Sequence, residues 1–393
     1  MKEQRNILAA YQKIQGTGQK AALATVVKVR GSSYRSPGAR MLITDDGRWV
    51  GSISGGCLEG DALRKARQVM LDQKPMTVRY DTREESNQNL GIGLGCNGVI
   101  DVLIEPIQAE QKVNPVTLFE NLILQNEPVA MATIYAGSEV GEKLLITSKG
   151  EVKNHFSNDE LSLFVKKDLI GLFDSGKSEA KNYTFEGQEF QVFIELLQPS
   201  ISLIIFGGGF DARPVSALAK SLGWEVSVTD ECVAHIAPIF FPAVDNLSLC
   251  ERQFIDRYFI ITPYTACVLM SHNYEYDRDV LLKLLKTETP YIGILGPRKR
   301  FDKMQGEFKA KGVILSEQDF HRIHSPIGLD IGAEAPDEIA VSIVAEIQSK
   351  FSNRSGGFLK YNPGPIHQRD PLTDQVFKQM YIGAENQSKT ANN

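Results

Sequence analysis

Between residues 201 and 347, short apolar runs alternate with stretches whose apolar positions recur at helical spacing. That rhythm predicts repeated βαβ units around a parallel, doubly wound sheet. Ile201-Ser-Leu-Ile-Ile-Phe206 reads as a buried strand, 211–222 as a helix with Pro214 in its first turn and Gly223 as its stop, and 224–229 as the next strand. Segments 266–270 and 291–295 read as further strands, with a helix over 277–286 between them and another over 336–351 closing the domain.

The first half follows another pattern, which repeats. Ala22-Leu-Ala-Thr-Val26 resembles Ala130-Met-Ala-Thr-Ile134, Met41-Leu-Ile-Thr-Asp-Asp-Gly47 resembles Leu144-Leu-Ile-Thr-Ser-Lys-Gly150, and Val102-Leu-Ile-Glu105 resembles Val192-Phe-Ile-Glu195, in the same order. Each copy reads as strand, loop, strand, glycine turn, helix and closing alternating strand, which predicts two similar β-rich units packed together. Residues 1–199 are expected to form this N-terminal domain, 200–351 the C-terminal one, and 352–393 a polar extension with little structure of its own. The second copy lacks counterparts of three segments of the first: Gly31-Ser-Ser-Tyr-Arg-Ser-Pro-Gly38, Ser52–Gly60 and Gly91–Gly98. The scaffold is common to both copies, so these glycine loops are better explained by a site than by the fold.

Composition narrows the partners. The 393 residues carry a net charge of −5 with a pI near 5.8, and the basic cluster Arg298-Lys299-Arg300 is short, so nucleic acid is not expected. The first twenty residues lack a signal-peptide core, and no run approaches the ~20 apolar residues of a spanning helix, which points to the cytoplasm and to no membrane. Five cysteines, at 57, 96, 232, 250 and 267, show no C-x-x-C spacing and predict reduced thiols rather than a disulfide framework or zinc site. No H-E-x-x-H, G-x-S-x-G, Walker A or carboxylate cluster of metal-binding spacing occurs.

Gly207-Gly208-Gly209-Phe210-Asp211-Ala212 follows a predicted strand and opens a predicted helix, as in G-x-G-x-x-(G/A). The glycines allow a tight turn and close approach to a phosphate, which the helix N-terminus attracts. Asp230 ends the following strand, where it would bind a hydroxyl pair or cap a helix. His272 and the turn Gly296-Pro297-Arg298 follow two other strands at the same carboxyl edge and would face a ligand there, or simply solvent. In the first half, Ser54, Gly55 and Gly56 cradle Cys57, which precedes a helix over 58–70 whose dipole favours thiolate. That suits a nucleophile, a sulfur carrier or a soft metal ligand. Cys96 sits in a similar glycine loop before a strand. Arg35 and Arg40 flank the first loop and would face an anion, or lie exposed on a hairpin. The fold class that accounts for all of this is α/β: a C-terminal Rossmann-like doubly wound parallel sheet plus an N-terminal α+β domain built from two similar β-rich units.

The segments Gly31-Ser-Ser-Tyr-Arg-Ser-Pro-Gly-Ala-Arg40, Gly51-Ser-Ile-Ser-Gly-Gly-Cys57-Leu-Glu59 and Gly93-Leu-Gly-Cys96 resemble the N-terminal domain of the XdhC/CoxI family of maturation factors for xanthine and carbon monoxide dehydrogenases. Phe206-Gly-Gly-Gly-Phe-Asp-Ala-Arg-Pro214, Ser271-His-Asn-Tyr274, Gly293-Ile-Leu-Gly296 and Arg322-Ile-His-Ser-Pro-Ile-Gly-Leu-Asp-Ile-Gly-Ala-Glu334 resemble its Rossmann domain. The resemblance implies a chaperone without turnover that binds molybdenum cofactor (molybdopterin), supports its sulfuration with a cysteine desulfurase, and inserts it into a xanthine dehydrogenase-type molybdenum hydroxylase. A homodimer that hides the cofactor is expected. Two other readings stay open: an NAD(P)-dependent oxidoreductase using Asp230 on a ribose, and a thiol redox protein pairing Cys57 with Cys96.

Overall fold

The computed structural model describes residues 2–82, 98–108, 114–118, 120, 127–185 and 187–361. Two compact units divide the chain, one over 3–199 and one over 200–362.

The first unit contains two five-stranded antiparallel sheets with the same strand order. One runs β3-β2-β1-β5-β4, from β1 (Ala21–Gly31), β2 (Arg40–Thr44), β3 (Trp49–Gly51), β4 (Met76–Asp81) and β5 (Gly98–Ile107). The other runs β8-β7-β6-β10-β9, from β6 (Val129–Ala136), β7 (Lys143–Thr147), β8 (Val152–Asn154), β9 (Glu179–Phe185) and β10 (Gln188–Leu197). Register repeats too: Thr25 lies opposite Arg40 and Leu103, and Thr133 opposite Lys143 and Phe193. Both long central pairs carry a bulge at the same place, between Val26 and Lys28 in β1 and opposite the Gln191/Val192 step of β10 in β6.

Alternation along the strands explains the layers. Ala22, Ala24, Val26, Val102 and Ile104 pack under the helix Glu59–Asp72, as Ala130, Ala132, Ile134, Val192 and Ile194 pack under the helix Asp159–Ser175. The opposite faces bring Val27, Leu103, Tyr135 and Phe193 together in one cluster. Two ion pairs cross the same seam, Arg40 to Glu195 and Lys143 to Glu105, and all four side chains are buried. Arg40 and Lys143 occupy equivalent positions, as do Glu105 and Glu195, so the pairs are reciprocal. The helix Lys2–Ile14, for which the sequence reading gave no element, adds Ile7, Leu8 and Tyr11 to the seam cluster of Leu23, Leu42, Met131 and Leu145.

The second unit is a six-stranded parallel sheet ordered β13-β12-β11-β14-β15-β16. Its strands are β11 (Ser202–Phe206), β12 (Glu225–Asp230), β13 (Asn246–Leu249), β14 (Thr265–Leu269), β15 (Tyr291–Ile294) and β16 (Ile323–His324). The helices Ala212–Ser221 and Pro336–Phe351 cover one face, and Tyr274–Leu284 and Arg298–Ala310 the other. The third of these begins three residues before its expected start because the Asn273 side chain accepts hydrogen bonds from the N–H groups of Glu275 and Tyr276. Three elements carry too few apolar residues to have been read from periodicity: β13, β16 and the helix Arg298–Ala310, which buries only Phe301, Met304 and Phe308. The structure thus has the expected fold class, a β-rich first unit and a parallel α/β second unit.

Candidate functional site

The loop that carries Cys57 is shaped by a residue the sequence reading did not single out. Glu59 opens the helix Glu59–Asp72 and is 4% exposed. Its carboxylate accepts hydrogen bonds from Ser52 Oγ (2.8 Å), Ser54 Oγ, and the N–H groups of Ile53 (3.2 Å), Ser54 (3.0 Å), Gly56 (2.9 Å) and Leu58 (3.1 Å). Burial pushes this acid up, but the Ser54 and Ser52 hydroxyls and the Ser54 N–H overcome it and hold the pKa at about 2. An ionised side chain thus gathers the whole loop around itself. The glycines then follow from sterics. Gly55 has φ +86° with the Tyr34 ring against its open side, where a Cβ would lie 2.7 Å from Cδ1. Gly56 has φ +121° and nothing within 4 Å of a Cβ position, so its face is open. Cys57 is half-buried, packs against the core beneath the helix, and is a free thiol.

Arg40 has a different setting from the anion-facing one expected of it. Its guanidinium donates to the Gly38 carbonyl (2.8 Å) and to Glu195, at 1% exposure, because the strand alternation turns β2's first residue into the seam between the sheets. It is a structural cation. Arg35, the other flanking arginine, pairs with Glu3. Cys96 and its glycine loop lie outside the described residues.

In the second unit the turn after β11 is held by another buried carboxylate. Gly207 has φ +121°, and a Cβ there would overlap the backbone of Met270 and Ser271 at the end of β14. Asp230, 4% exposed at the end of β12, accepts the Gly208 N–H (2.8 Å) and the Cys232 N–H (2.8 Å), and lies 3.0 Å from His235 Nδ1. The His235 carbonyl stands where a Gly208 Cβ would be, at 2.6 Å. Asp230 therefore braces the glycine turn and is covered by the segment that follows it. Gly209 has ordinary room around a Cβ position. Phe210 is 65% exposed, with the Arg213 guanidinium 5.3 Å from its ring and 3.6 Å from that of Phe240.

At the same carboxyl edge, His272 takes a positive φ of 59°, uncommon for a residue with a Cβ, and its Nε2 lies 3.3 Å from the Asp211 carboxylate. The glycine turn and His272 are thus brought together through Asp211. Gly296 has φ +114° and the Arg300 side chain beside it, while Arg298 is exposed at the helix start. Arg300 rather than Arg298 is built in: it pairs at 2.7 Å with Asp277, which also accepts the Ser271 hydroxyl at 2.6 Å. Burial pushes the Asp277 carboxyl up, against the opposing pull of Ser271 and Arg300. Farther along, Glu346 accepts from the Tyr291 hydroxyl (2.6 Å) and the Gly328 N–H (2.8 Å) and meets His324 Nδ1 at 3.0 Å, fixing the 324–328 loop. Among the described residues no group of three or more His, Cys, Asp or Glu side chains is placed to hold a metal ion, and no helix is long and apolar enough to cross a membrane.

One unit thus presents a glycine turn and a helix N-terminus at the carboxyl edge of its sheet, and the other a thiol beside an open glycine face. Comparison with known proteins agrees with that division. Residues 203–347 match the XdhC Rossmann domain, and residues 14–81 match the XdhC and CoxI family. A Bacillus subtilis protein named as a probable subunit of xanthine dehydrogenase is 32% identical over 84% of this chain and 92% of its own length. The molybdenum cofactor insertion chaperone PaoD of Escherichia coli is 23% identical over 85% of this chain and 84% of its own length. A crystal structure described as a xanthine dehydrogenase from Bacillus halodurans, 30% identical, superposes over 92% of this chain and 98% of that one with a TM-score of 0.73. This chain belongs to the XdhC and CoxI family.

Proposed function

We propose that this protein binds molybdenum cofactor as cargo, supports its sulfuration together with a cysteine desulfurase, and delivers it to a xanthine dehydrogenase-type molybdenum hydroxylase without turnover of its own. A cytoplasmic homodimer is part of the same reading. The observation that carries it is the pair of glycine turns, each drawn tight by a buried carboxylate, Glu59 in one unit and Asp230 in the other. A binder that must hold a reactive ligand without transforming it gains from a fixed, preorganised backbone. The Gly207 turn and the N-terminus of the helix Ala212–Ser221 suit the cofactor's phosphate. Taken by itself, the Cys57 thiol of the other unit, beside the open face of Gly56, suits a soft metal centre. When bound, the cofactor supplies the molybdenum centre that the acceptor enzyme uses. This chain's residues bind and orient it.

Asp230 weighs against the nicotinamide alternative. A ribose diol needs a carboxylate with free lone pairs facing the crevice, whereas here both oxygens are engaged and His235 lies over them. The proposal is tested by assaying molybdenum and pterin fluorescence on protein purified anaerobically from a molybdenum-replete host, with nicotinamide fluorescence in parallel. Wild type is expected to carry molybdenum and pterin in equal amounts, Cys57→Ala to retain less, and neither to quench nicotinamide nucleotide. Quenching of added NADH without pterin would support the oxidoreductase instead. Loss of free Cys57 and Cys96 thiols under mild oxidant would favour the redox reading.

A further inference from the structure

Strands β1, β4 and β5 carry charges that their fold does not require. The register sets both Lys28 and Arg79 opposite Asp101, and Arg30 lies two residues beyond Lys28 on the same side of β1. Arg79 holds the buried Asp101 through Nε (2.7 Å) and Nη2 (3.1 Å). Asp81 also acts on Arg79 and has a partner of its own. Lys28 and Arg30 are half-buried and have no hydrogen-bonded or ion-paired partner among the described residues. Burial, with Arg30 and Arg79 nearby, pushes the Lys28 amine down.

A second observation points into the same place. Tyr135, at the bulge of β6, is 1% exposed, and its hydroxyl has no hydrogen-bond partner among the described residues. Tyr135 packs with Val27, which precedes Lys28, and with Leu103, two residues from Asp101 on the same side of β5, and the charges that act on its hydroxyl are Asp101, Arg30 and Arg79. A buried hydroxyl left unpaired is destabilising, and a ligand oxygen would offset that cost.

The internal repeat supplies the control. By register, Lys28, Asp101 and Arg79 correspond to Ala136, Gln191 and Asn182, and by the same offset Arg30 corresponds to Ser138. The second sheet keeps the strand order and the bulge with no charge at any of these positions. The charged copy is also the one that bears the glycine loops: β1 ends at Gly31, where the first loop starts, and β5 begins at Gly98, where the Cys96 segment ends.

We propose that Lys28, Arg30 and Arg79, with the Tyr135 hydroxyl, form a site for a doubly charged tetrahedral oxyanion, free or as the terminal phosphate of a larger organic ligand. Three cationic side chains, less the Asp101 carboxylate that Arg79 holds, leave two positive charges beside one hydroxyl donor, which match such an anion in charge and in hydrogen bonding. The site stands independently of the cofactor reading, because it needs no pterin to be filled.

Titration of the full chain with inorganic phosphate, by calorimetry, tests it, while mass spectrometry follows acetylation of Lys28. The proposal expects saturable binding and protection of Lys28 by phosphate. The fourfold variant K28A/R30S/R79N/D101Q, which installs the residues the second copy already tolerates, is expected to bind at least about tenfold more weakly. Tyr135→Phe is expected to weaken binding severalfold with no loss of melting temperature. Glycerol 3-phosphate separates the sources: equal protection of Lys28 by the ester marks a phosphate-bearing organic ligand, and protection by inorganic phosphate alone marks a free oxyanion. Unsaturable binding by wild type, unchanged affinity in the fourfold variant, or Lys28 acetylation indifferent to phosphate would each overturn the proposal.

Discussion

At the scale of single residues, buried carboxylates decide where the glycine loops go. Glu59 takes six hydrogen bonds from hydroxyls and backbone N–H groups of residues 52–58, so Glu59→Gln replaces half of an acceptor with a donor that faces N–H groups. We expect a loss of about 2–3 kcal/mol in chemical denaturation, and increased reactivity of Cys57 toward a thiol reagent as the loop loosens. The acid's depressed pKa sets a pH window. Its contribution is present above its ordinary value of 4.5 and is lost as pH falls from there to about 2, so wild type and Glu59→Gln should converge in stability across that range. A stability difference that persists undiminished at the acid end would contradict this. Gly207→Ala probes the second unit: a Cβ at φ +121° against Ser271 is expected to destabilise it by about 2 kcal/mol or more in thermal denaturation. The glycines and Cys57 were legible because glycine density around a thiol is unusual. Glu59 was not, since an acid in a first helical turn has an ordinary explanation, and only the folded loop reveals Ser52 and Ser54 turned toward it.

At the scale of elements, the repeat was legible and its seam was not. Three apolar segments in matching order sufficed to expect two similar units, because core strands keep their pattern in both copies. The pairing of Arg40 with Glu195 joins residues 155 positions apart, which no local pattern encodes. A local pattern therefore offers Arg40 either an anion or solvent, whereas in the fold it pairs with a buried acid. Burial pushes the Glu195 carboxyl up, with Arg40 and Lys143 pulling the other way. Removing one partner should therefore be worse than removing both. Arg40→Met is expected to cost about 3–5 kcal/mol, and Arg40→Met combined with Glu195→Leu to recover most of it, as read by urea denaturation. Additive losses in the double variant would mean that the pair is not coupled. Short polar elements such as β13 and the helix Arg298–Ala310 escaped the sequence because each presents few apolar positions to the sheet.

At the scale of the whole molecule, the chain combines a Rossmann-type unit and a duplicated β unit, each with a glycine turn fixed from beneath by an acid. The duplicated unit separates scaffold from site. What both copies share holds the sheets together, and the glycine loops, Cys57 and the Lys28–Arg30–Arg79 cluster belong to the first copy alone. Family membership motivates the proposed cargo, and each unit is tested for it separately, through Gly207 in one and Cys57 in the other. The most direct measurement is reconstitution under anaerobic conditions: incubate the purified full chain with free molybdenum cofactor, remove the unbound fraction, and determine molybdenum and pterin in the protein. Retention of both in equal amounts, lowered by Cys57→Ala and by Gly207→Ala, is the expected result. Wild-type protein that retains neither would contradict the function proposed for it.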